Sequence, residues 1–346
     1  MKRSPGPPTI SVIMPNWNDA RYLPRALRSV LDQEVGADEL IVVDDQSTDN
    51  SVEVIARSIE GHANAQLIVN PVNLGTNGAL NEGLARMRSE YVLFLASNDF
   101  VLDGIFARAK AGLARAPGIG LWSAMAWLVD EADRPIRLHP SPVVTLRDAA
   151  LSPADCVRLA HRFGNWFTGT TLIYHRDALR AAGGFDPAYG GLSDLITALV
   201  VATRAGASYS PEPYAAIRMH AGSFLSGTLK DVDRLDLALA RLKERGPTLS
   251  PALFTDGFQR RTALRFRFAA VRASGGDLGA IGDRITGLQR AALQFADRAL
   301  PQAWRRMRVL AAFLILRPFD IGPTVINRIM GWAYVRARLL LRRQAF

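Results

Sequence analysis

Residues 9–15 read TISVIMP, a short apolar run rich in β-branched side chains, and the polar cluster NWN follows directly at residues 16–18. A run of this length and composition predicts a buried β-strand. Residues 20–33 then place Leu23, Leu27 and Val30 at helical spacing, which predicts a helix with one apolar face. The chain therefore opens with a predicted strand, a polar loop and an amphipathic helix.

Strand and helix patterns continue to alternate up to residue 99. The further predicted strands are residues 39–43, 66–70 and 91–96, and the further predicted helices are residues 77–87 and a segment that Ser47 or Asp49 caps and that extends to about residue 59. Strict alternation of this kind favours an α/β fold with a mostly parallel sheet and helices on both faces.

Three polar clusters come directly after predicted strands. They are NWN at residues 16–18, Asp44-Asp45, and SND at residues 97–99. In open parallel sheets, ligands bind at the carboxyl ends of the strands. The clusters are therefore expected to meet at one edge of the sheet and to form the site there.

Several of these segments also resemble the motifs of a known family, the inverting family 2 glycosyltransferases of the GT-A fold. The similar segments are VIMPNWN at residues 12–18, IVVDDQSTD at 41–49, NLG at 73–75 followed by NEGL at 81–84, GGFD at 183–186 with Ser193-Asp194, and RMH at 218–220. The resemblance covers roughly residues 9–226. A single such motif has little specificity, but five in the family's order have much more.

The resemblance implies which residues bind the nucleotide sugar. They are Pro15, Trp17, Asn18, Asp45, Asn73, Gly75 and Asn98. A carboxylate at Asp45 would accept a hydrogen bond from a base N–H, and Trp17 would offer a flat face to base or ribose. Two alternatives stay open: Asp45 could only stabilise its turn, and Trp17 could simply pack.

A diphosphate leaving group needs a divalent cation, and Mn²⁺ and Mg²⁺ prefer oxygen ligands. The resemblance assigns this role to the acidic cluster after the fourth strand, where only Asp99 keeps a carboxylate beside Ser97 and Asn98. It adds His220 as a second metal ligand. The alternatives for His220 are a hydrogen bond to phosphate or a packing role in its loop.

Inverting transfer also needs a general base that takes the proton of the acceptor hydroxyl. The resemblance assigns this role to Asp194, with Ser193 in place of the family's glutamate. Asp194 precedes a helical pattern at residues 195–204, so it could also be an N-cap. Residues 165–170 (NWFTGT), before a predicted strand at 172–175, could line the acceptor pocket or belong to the core edge.

Composition and the lengths of the apolar runs indicate the cellular compartment. The single cysteine, Cys156, excludes an intramolecular disulfide and is expected to be buried and inert. The first eight residues lack the apolar stretch of a secretory signal. The C-terminal apolar run at 309–316 is far shorter than the ~20 residues that span a bilayer. A cytoplasmic protein is expected, either free or peripheral on the inner face of the membrane.

The positive charge is concentrated at the C-terminus. Residues 256–346 hold seventeen arginines, no lysine and five aspartates, whereas basic and acidic residues nearly balance in the rest of the chain. We therefore predict a GT-A domain at residues 1–226 and a basic helical region at residues 227–346.

This helical region has two interpretations. Arg305, Arg306 and Arg308 precede the apolar run, and residues 326–343 mix arginines with apolar and aromatic side chains, a pattern typical of helices that lie on an anionic membrane surface. The alternative is a helical subdomain that packs on the first domain or on a second subunit in a homo-oligomer. Nucleic acid is not expected as a partner, because no recognition motif accompanies the charge.

The leading hypothesis is an inverting glycosyltransferase that moves a sugar from a nucleotide-diphosphate donor to a glycan or lipid-linked acceptor in cell-surface polysaccharide synthesis. The thinned acidic cluster motivates an alternative, a non-catalytic relative that binds nucleotide sugars as a scaffold at the membrane. A nucleotidyltransferase is disfavoured, because no glycine-rich basic loop follows the first strand.

Overall fold

The computed structural model of the chain describes residues 6–219, 231–282 and 287–320, together with the single positions 229, 285, 331, 333, 335 and 337. Three predictions lie outside these residues: the metal-ligand role of His220, the domain boundary at residue 226, and most of the basic segment at 326–343.

The first part of the fold is a parallel sheet. Its strands are β1 (Ile10–Asn16), β2 (Glu39–Asp44), β3 (Ala65–Val69) and β4 (Tyr91–Phe94), and its helices are α1 (Leu23–Leu31), α2 (Ser51–Ile59) and α3 (Gly75–Arg86). The strands lie in the order β3-β2-β1-β4, with every neighbouring pair parallel. The predicted alternation of strand and helix is confirmed.

The second part extends the same sheet and makes it mixed. Its elements are β5 (Phe100–Val101), α4 (Ile105–Ala114), β6 (Leu121–Val129), β7 (Pro135–Leu138), β8 (Ala149–Leu151), α5 (Pro153–Phe163), β9 (Ile173–His175), α6 (Arg176–Ala181), α7 (Ser193–Ala205) and β10 (Ala207–Arg218). The sheet continues from β4 in the order β9-β6-β10-β5. Strand β9 runs antiparallel to both β4 and β6, whereas β10 is parallel to β6.

Two apolar clusters cover the two faces of the sheet. Successive side chains of a strand point to opposite faces, so Val12 of β1 joins the cluster with α1 and α4, while Ile13 joins the cluster with α3 and α7. Helix α3 lies so close to β1 that a Cβ on Gly83 would be 2.4 Å from Cγ2 of Ile13. A glycine is therefore required at this crossing.

The prediction that Ser47 or Asp49 caps α2 was wrong. Asn50 occupies the N-cap position and makes no side-chain cap hydrogen bond. Ser47 Oγ instead accepts the N–H of Asn18, and Asp49 Oδ2 accepts the N–H of Ala20. Both side chains connect the loop after β2 to the loop after β1, and Asp49 Oδ1 also accepts the N–H of Ser51.

Helices follow the sheet, as the sequence predicted. They are α8 (Val232–Leu249), α9 (Asp256–Ala273), α10 (Gly287–Ala299) and α11 (Arg305–Leu316). Their buried side chains, among them Leu235 and Phe258, belong to the same apolar cluster as α7. The described helices therefore pack on the sheet domain, which was one of the two interpretations of this region.

Part of the arginine excess is structural. Arg308 is fully buried; it pairs with the carboxylate of Asp297 and donates to the carbonyls of Gly276 and Leu300. Arg265 and Arg317 both pair with the buried Asp320. The prediction that Arg308 contributes to a basic surface was wrong, because these carboxylates and carbonyls hold it inside the helical region.

Two further observations concern composition. Cys156 is buried, as predicted. Burial raises the pKa of its thiol to about 12, which disfavours the reactive thiolate. No helix in the described part of the chain is both long and apolar enough to cross a membrane.

Candidate functional site

A cleft opens at the carboxyl ends of β1 and β4. It has a volume of about 270 Å³, close to the lower end of the range for small-molecule sites. Its lining residues include Pro15, Thr76, Asn77, Phe94, Asp99, Gly169, Thr170, Tyr174, Phe185, Ser193 and Asp194. This is the edge of the sheet at which the sequence predicted the site.

The first turns of two helices contribute to this lining. Thr76 and Asn77 lie in the first turn of α3, and Ser193 and Asp194 lie in the first turn of α7. Unpaired backbone N–H groups and the positive end of the helix dipole both favour anions at such a position. The cleft therefore suits a ligand that carries negative charge.

Asp99 is a buried carboxylate at this cleft, only 8% exposed. Its Oδ2 accepts a hydrogen bond from Thr170 Oγ1 at 3.0 Å, and its Oδ1 accepts the backbone N–H of Arg218 at 2.9 Å. Burial raises the pKa of Asp99 to about 6, although both hydrogen bonds and the Arg218 charge lower it. A buried carboxylate with this pKa is one that a bound cation would stabilise.

A second carboxylate, Asp19, lies close to Asp99, and the sequence reasoning missed it. Ser97 Oγ donates to Asp19 Oδ2 at 2.8 Å, and the negative charge of Asp19 contributes to the raised pKa of Asp99. The available signal was position alone, because Asp19 directly follows the polar cluster after β1. Ser97 thus links the carboxylate after β1 to the cluster after β4.

These residues fit a divalent cation whose remaining ligands are oxygens of the substrate. Within the described residues, no group of three or more His, Cys, Asp or Glu side chains could hold a metal on its own. Mg²⁺ usually takes one or two carboxylates together with substrate phosphates rather than an all-protein cage. Asp99 with Asp19 nearby meets that requirement.

Asp194 lies in the first turn of α7, and the N-cap of this helix is Leu192. The prediction that Asp194 could be the N-cap was therefore wrong. Its Oδ1 accepts the N–H of Leu195 at 2.7 Å, and its Oδ2 would be 3.6 Å from a Cβ placed on Gly169. The side chain is open to solvent on one side, but the walls of the cleft desolvate it and raise the pKa of its carboxyl.

Two buried hydroxyls beside Asp194 lack a hydrogen-bond partner in the described part of the chain. Tyr174 is 2% exposed and Ser193 is 3% exposed, and both line the cleft. The Tyr174 ring lies 6.1 Å from the ring of Phe185, which in turn packs edge-on against Phe94 at 4.8 Å. Because unsatisfied buried hydroxyls are costly, a ligand that pairs with them would be favoured here.

Sequence reasoning did not identify Tyr174 or Phe94 as site residues. Tyr174 lies on β9, a strand that reaches the cleft only because it pairs with β4 from far along the chain. A period-two pattern predicts the strand but not its neighbour. The partner strand therefore decides that Tyr174 belongs to the site.

Asp45 lies just behind the cleft rather than in its lining. It is 3% exposed, and its Oδ1 accepts hydrogen bonds from Asn70 Nδ2 at 2.8 Å and from Leu74 N at 2.9 Å. Asp45 thus holds the loop that leads into α3, which was the alternative to a nucleotide role. The structure brings Asp99 and Asp194 into one cleft, with Asp45 next to it.

The other predicted nucleotide-binding residues lie on the loops around this edge, and of these only Pro15 lines the cleft. Trp17 is 57% exposed, so the alternative of simple packing was wrong. Asn18 has a φ of 56°, and its side-chain oxygen accepts the N–H groups of Thr48 and Asp49. Asn18 therefore stabilises the turn after β2.

The remaining two loops behave similarly. Asn73 Oδ1 accepts the N–H of Gly75 at 3.0 Å, and Gly75 has a φ of 71°, which favours glycine at the start of α3. The backbone carbonyl of Asn98 accepts a hydrogen bond from the Arg218 guanidinium. These contacts shape the loops, and a direct contact with a nucleotide stays a prediction.

The segment at residues 165–170 lies partly in the cleft and partly in the core, the two locations considered for it from the sequence. Gly169 and Thr170 line the cleft. Trp166 and Phe167 are at most 2% exposed, with ring centroids 3.8 Å apart. The end of the segment therefore belongs to the site, and its middle belongs to the core.

Sequence comparison finds similarity to a known family in the N-terminal part of the chain. Residues 11–109 match the sequence model of glycosyl transferase family 2. An uncharacterized glycosyltransferase of Haemophilus influenzae is 40% identical over 96 residues, which cover 28% of this chain and 38% of that protein. The putative teichuronic acid biosynthesis glycosyltransferase TuaG of Bacillus subtilis is 35% identical over 92 residues, 27% of this chain and 36% of that protein. The matched region thus spans less than half of either relative.

Structure comparison extends the similarity of the fold to nearly the whole chain. Staphylococcus aureus TarS 1-349 in complex with UDP-GlcNAc superimposes with a TM-score of 0.60 at 17% identity, covering 95% of this chain and 92% of that one. The mannosyltransferase PcManGT of Pyrobaculum calidifontis, in complex with GDP-Man and Mn²⁺, superimposes with a TM-score of 0.56 at 20% identity, covering 94% and 88%. At these identities the likeness concerns the fold, and it confirms the predicted GT-A architecture. Residues 11–109 are thus similar to glycosyl transferase family 2, and the fold of nearly the whole chain is that of the two solved glycosyltransferases.

Proposed function

We propose that this chain is an inverting glycosyltransferase that transfers a sugar from a nucleotide-diphosphate donor to an acceptor hydroxyl. The observation that carries the proposal is that Asp99 and Asp194, both with raised pKa values, line the same cleft. Carboxylates with perturbed pKa values in a cleft are typical of active sites. The match of residues 11–109 to glycosyl transferase family 2 supports the same reaction class.

The donor diphosphate would lie where the first turns of α3 and α7 meet the cleft. Asp99, with Asp19 nearby, would hold Mn²⁺ or Mg²⁺, and we keep His220 as a further candidate ligand. When bound, the cation would neutralise charge on the departing diphosphate. PcManGT, which shares the fold, was solved with GDP-Man and Mn²⁺, in keeping with this cofactor.

The nucleoside would extend towards the loops after β1 and β2. Trp17 is exposed there and would stack on the base or ribose, with Asp45, Asn73 and Asn98 around it. Asp45 would act mainly by fixing the loop before α3, because Asn70 and Leu74 already occupy its Oδ1. We therefore keep the predicted nucleotide contacts as part of the proposal and assign a positioning role to Asp45.

Asp194 would act as the general base. The acceptor oxygen attacks the anomeric carbon, the bond from that carbon to the diphosphate oxygen breaks, and the hydroxyl proton passes to Asp194. Desolvation raises the pKa of Asp194 and so makes it a better proton acceptor. The unpartnered hydroxyls of Tyr174 and Ser193 would bind sugar hydroxyls beside it.

The acceptor class is part of the same proposal, and the relatives support it. We propose a glycan or lipid-linked acceptor in cell-surface polysaccharide synthesis; the related TuaG is a putative teichuronic acid biosynthesis glycosyltransferase. The transferase domain would comprise residues 1–226, with the helical region at 227–346 as an attached unit. Synthesis at the cytoplasmic face of the membrane would fit such an acceptor.

The second candidate, a nucleotide-sugar-binding scaffold without turnover, is favoured by one observation. Both oxygens of Asp99 already accept hydrogen bonds within the protein, which would weaken a cation site. Binding of a nucleotide sugar without product release would identify this case.

The deciding experiment measures binding and turnover on the same variants. Calorimetry with nucleoside diphosphates, with and without Mn²⁺, reports binding, and release of nucleoside diphosphate from nucleotide sugars reports turnover. We expect Asp194→Asn to lower turnover by about 10²–10⁴-fold with little change in binding, and Asp99→Asn to weaken the Mn²⁺-dependent part of binding. Asp177→Asn, an exposed aspartate in the first turn of α6, is the matched control. Full turnover in both cleft variants would exclude the proposed mechanism.

A further inference from the structure

The outward face of α11 is apolar, although it points away from the protein. Met307, Leu310 and Leu314 recur at helical spacing and are 49%, 49% and 50% exposed. At 100° per residue their mean direction is roughly opposite that of the buried Arg308, Ala312 and Leu316. A surface helix that packs on one side normally turns polar side chains to water on the other. The helix α11 therefore has a second apolar face that stays exposed to solvent beside the described residues.

Further large apolar side chains are exposed next to α11 in the chain and on the helix that contacts it. Trp304, directly before α11, is 56% exposed, and on the adjacent α10 Phe295 is 73% exposed and Leu288 is 90% exposed. Clustered exposure of large apolar side chains marks an interaction surface rather than ordinary surface composition. We name the set Trp304, Met307, Leu310 and Leu314 the α11 outer face.

The charges around this face restrict its partner. Arg298, Arg305 and Arg306 are exposed, and no carboxylate in the described part of the chain forms an ion pair with them. The nearby Asp297 and Asp320 are already paired with Arg308, Arg265 and Arg317. The face is therefore bordered by positive charge that no carboxylate of the described residues neutralises.

A second copy of the chain fits this rim poorly. A twofold contact places the same patch on both sides, so exposed arginines would oppose arginines across the interface. An anionic lipid surface offers both an apolar layer for the leucines and negative headgroups for the arginines. A tryptophan at the edge of such a face is also typical of the membrane–water interface.

We propose that the α11 outer face binds the surface of a bilayer that contains anionic phospholipid. The helix has twelve residues, about 18 Å in length, which is too short to cross the ~30 Å hydrocarbon core. It would therefore lie in the plane of the headgroups with Leu310 and Leu314 directed towards the acyl chains. This attachment involves none of the cleft residues, so it can be tested independently of the proposed transferase activity.

The test is co-sedimentation of the full chain with vesicles of phosphatidylcholine alone and with 30% phosphatidylglycerol. We expect binding mainly to the anionic vesicles and a decrease with added salt, because salt screens exposed charges. Leu310→Gln with Leu314→Gln should weaken binding by about tenfold. Arg305→Gln with Arg306→Gln should weaken it by about 25-fold on anionic vesicles, at roughly fivefold for each arginine.

Matched controls are available elsewhere on the surface. Leu237→Gln removes a leucine that is 70% exposed on α8, and Arg57→Gln removes an exposed arginine on α2; neither should change vesicle binding. Because all substituted side chains are exposed, the variants should retain wild-type melting temperatures and nucleoside diphosphate binding. No binding to anionic vesicles, or equal binding by the α11 variants, would refute the proposal. A concentration-dependent dimer in light scattering that Leu310→Gln with Leu314→Gln abolishes would assign the face to a second copy instead.

Discussion

Asp99→Asn should make the metal-free protein more stable at neutral pH, because the carboxylate it removes is buried. Asparagine has the same shape, so its Oδ1 can accept the N–H of Arg218 and its Nδ2 can donate to Thr170 Oγ1. The variant keeps both contacts of the native side chain and loses only the charge. The effect should therefore report the cost of the charge itself.

The magnitude follows from the pKa of Asp99, which burial raises from 3.8 to about 6. Between these two values the folded state binds more protons than the unfolded state, so its stability falls as pH rises through the folded pKa. The total loss is about 3 kcal/mol at 1.36 kcal/mol per pKa unit. About 1.4 kcal/mol of this loss in the free energy of unfolding occurs between pH 5 and pH 8. The Asp99→Asn variant should not show this loss, because it has no carboxylate at this position.

Urea unfolding at pH 5, 6, 7 and 8 in EDTA measures this difference. The free energy of unfolding of Asp99→Asn minus that of the wild type should increase by about 1.4 kcal/mol from pH 5 to pH 8, whereas Asp177→Asn should show no such trend. Adding Mn²⁺ with a nucleoside diphosphate should stabilise the wild type and leave Asp99→Asn nearly unchanged. A difference that stays flat across this pH range would show that the Asp99 carboxylate does not have the raised pKa, and the reasoning from burial would fail.

Four further predictions test other contacts. Asp19→Asn should weaken Mn²⁺-dependent nucleotide binding in calorimetry, by less than Asp99→Asn does, and equal affinity with the wild type would remove Asp19 from the site. Tyr174→Phe deletes one unpartnered hydroxyl, so the melting temperature should hardly change, while kcat/KM for sugar transfer should fall about 5- to 30-fold if a sugar pairs with it. Gly83→Ala should lower the free energy of unfolding by about 1–2 kcal/mol, because its Cβ would overlap Ile13; the control Gly257→Ala, with open space at a helical position, should raise it by up to about 1 kcal/mol. Arg308→Met should cost about 3 kcal/mol in urea unfolding, because it leaves Asp297 and two carbonyls without their buried donor, and a neutral result would contradict the structural role of this arginine.

The elements of the parallel sheet were predictable because their signals are local. Two continuous apolar runs, at residues 9–15 and 39–43, are typical of buried strands. Both strands lie within a residue or two of the predicted bounds. The capping of α2 was not predictable in the same way. Ser47 and Asp49 have the right residue types for a cap, yet the loop after β1 competes for their side chains.

The candidate site shows the same division. Asp99 and Asp194 were predicted from their motifs and reach the same cleft. Asp19 and Tyr174 were missed, because their roles depend on Ser97 and on the pairing of β9 with β4. Asp45 was predicted as a nucleotide ligand, but its hydrogen bonds to Asn70 and Leu74 make it first a support for the loop before α3.

The sequence alone determined the alternation of strands and helices, the resemblance of the N-terminal part to glycosyl transferase family 2, and the edge of the sheet that carries the polar clusters. These features depend on side-chain period and on residues adjacent in the chain, so no long-range contact is needed to infer them. Only the tertiary structure decided which arginines are internal ion-pair partners and which remain on the surface. It also decided which hydroxyls line the cleft and which second carboxylate lies near Asp99. Those outcomes depend on packing between segments up to a hundred residues apart. Burial by such packing, rather than residue type, decides whether a charged group or a hydroxyl remains hydrated.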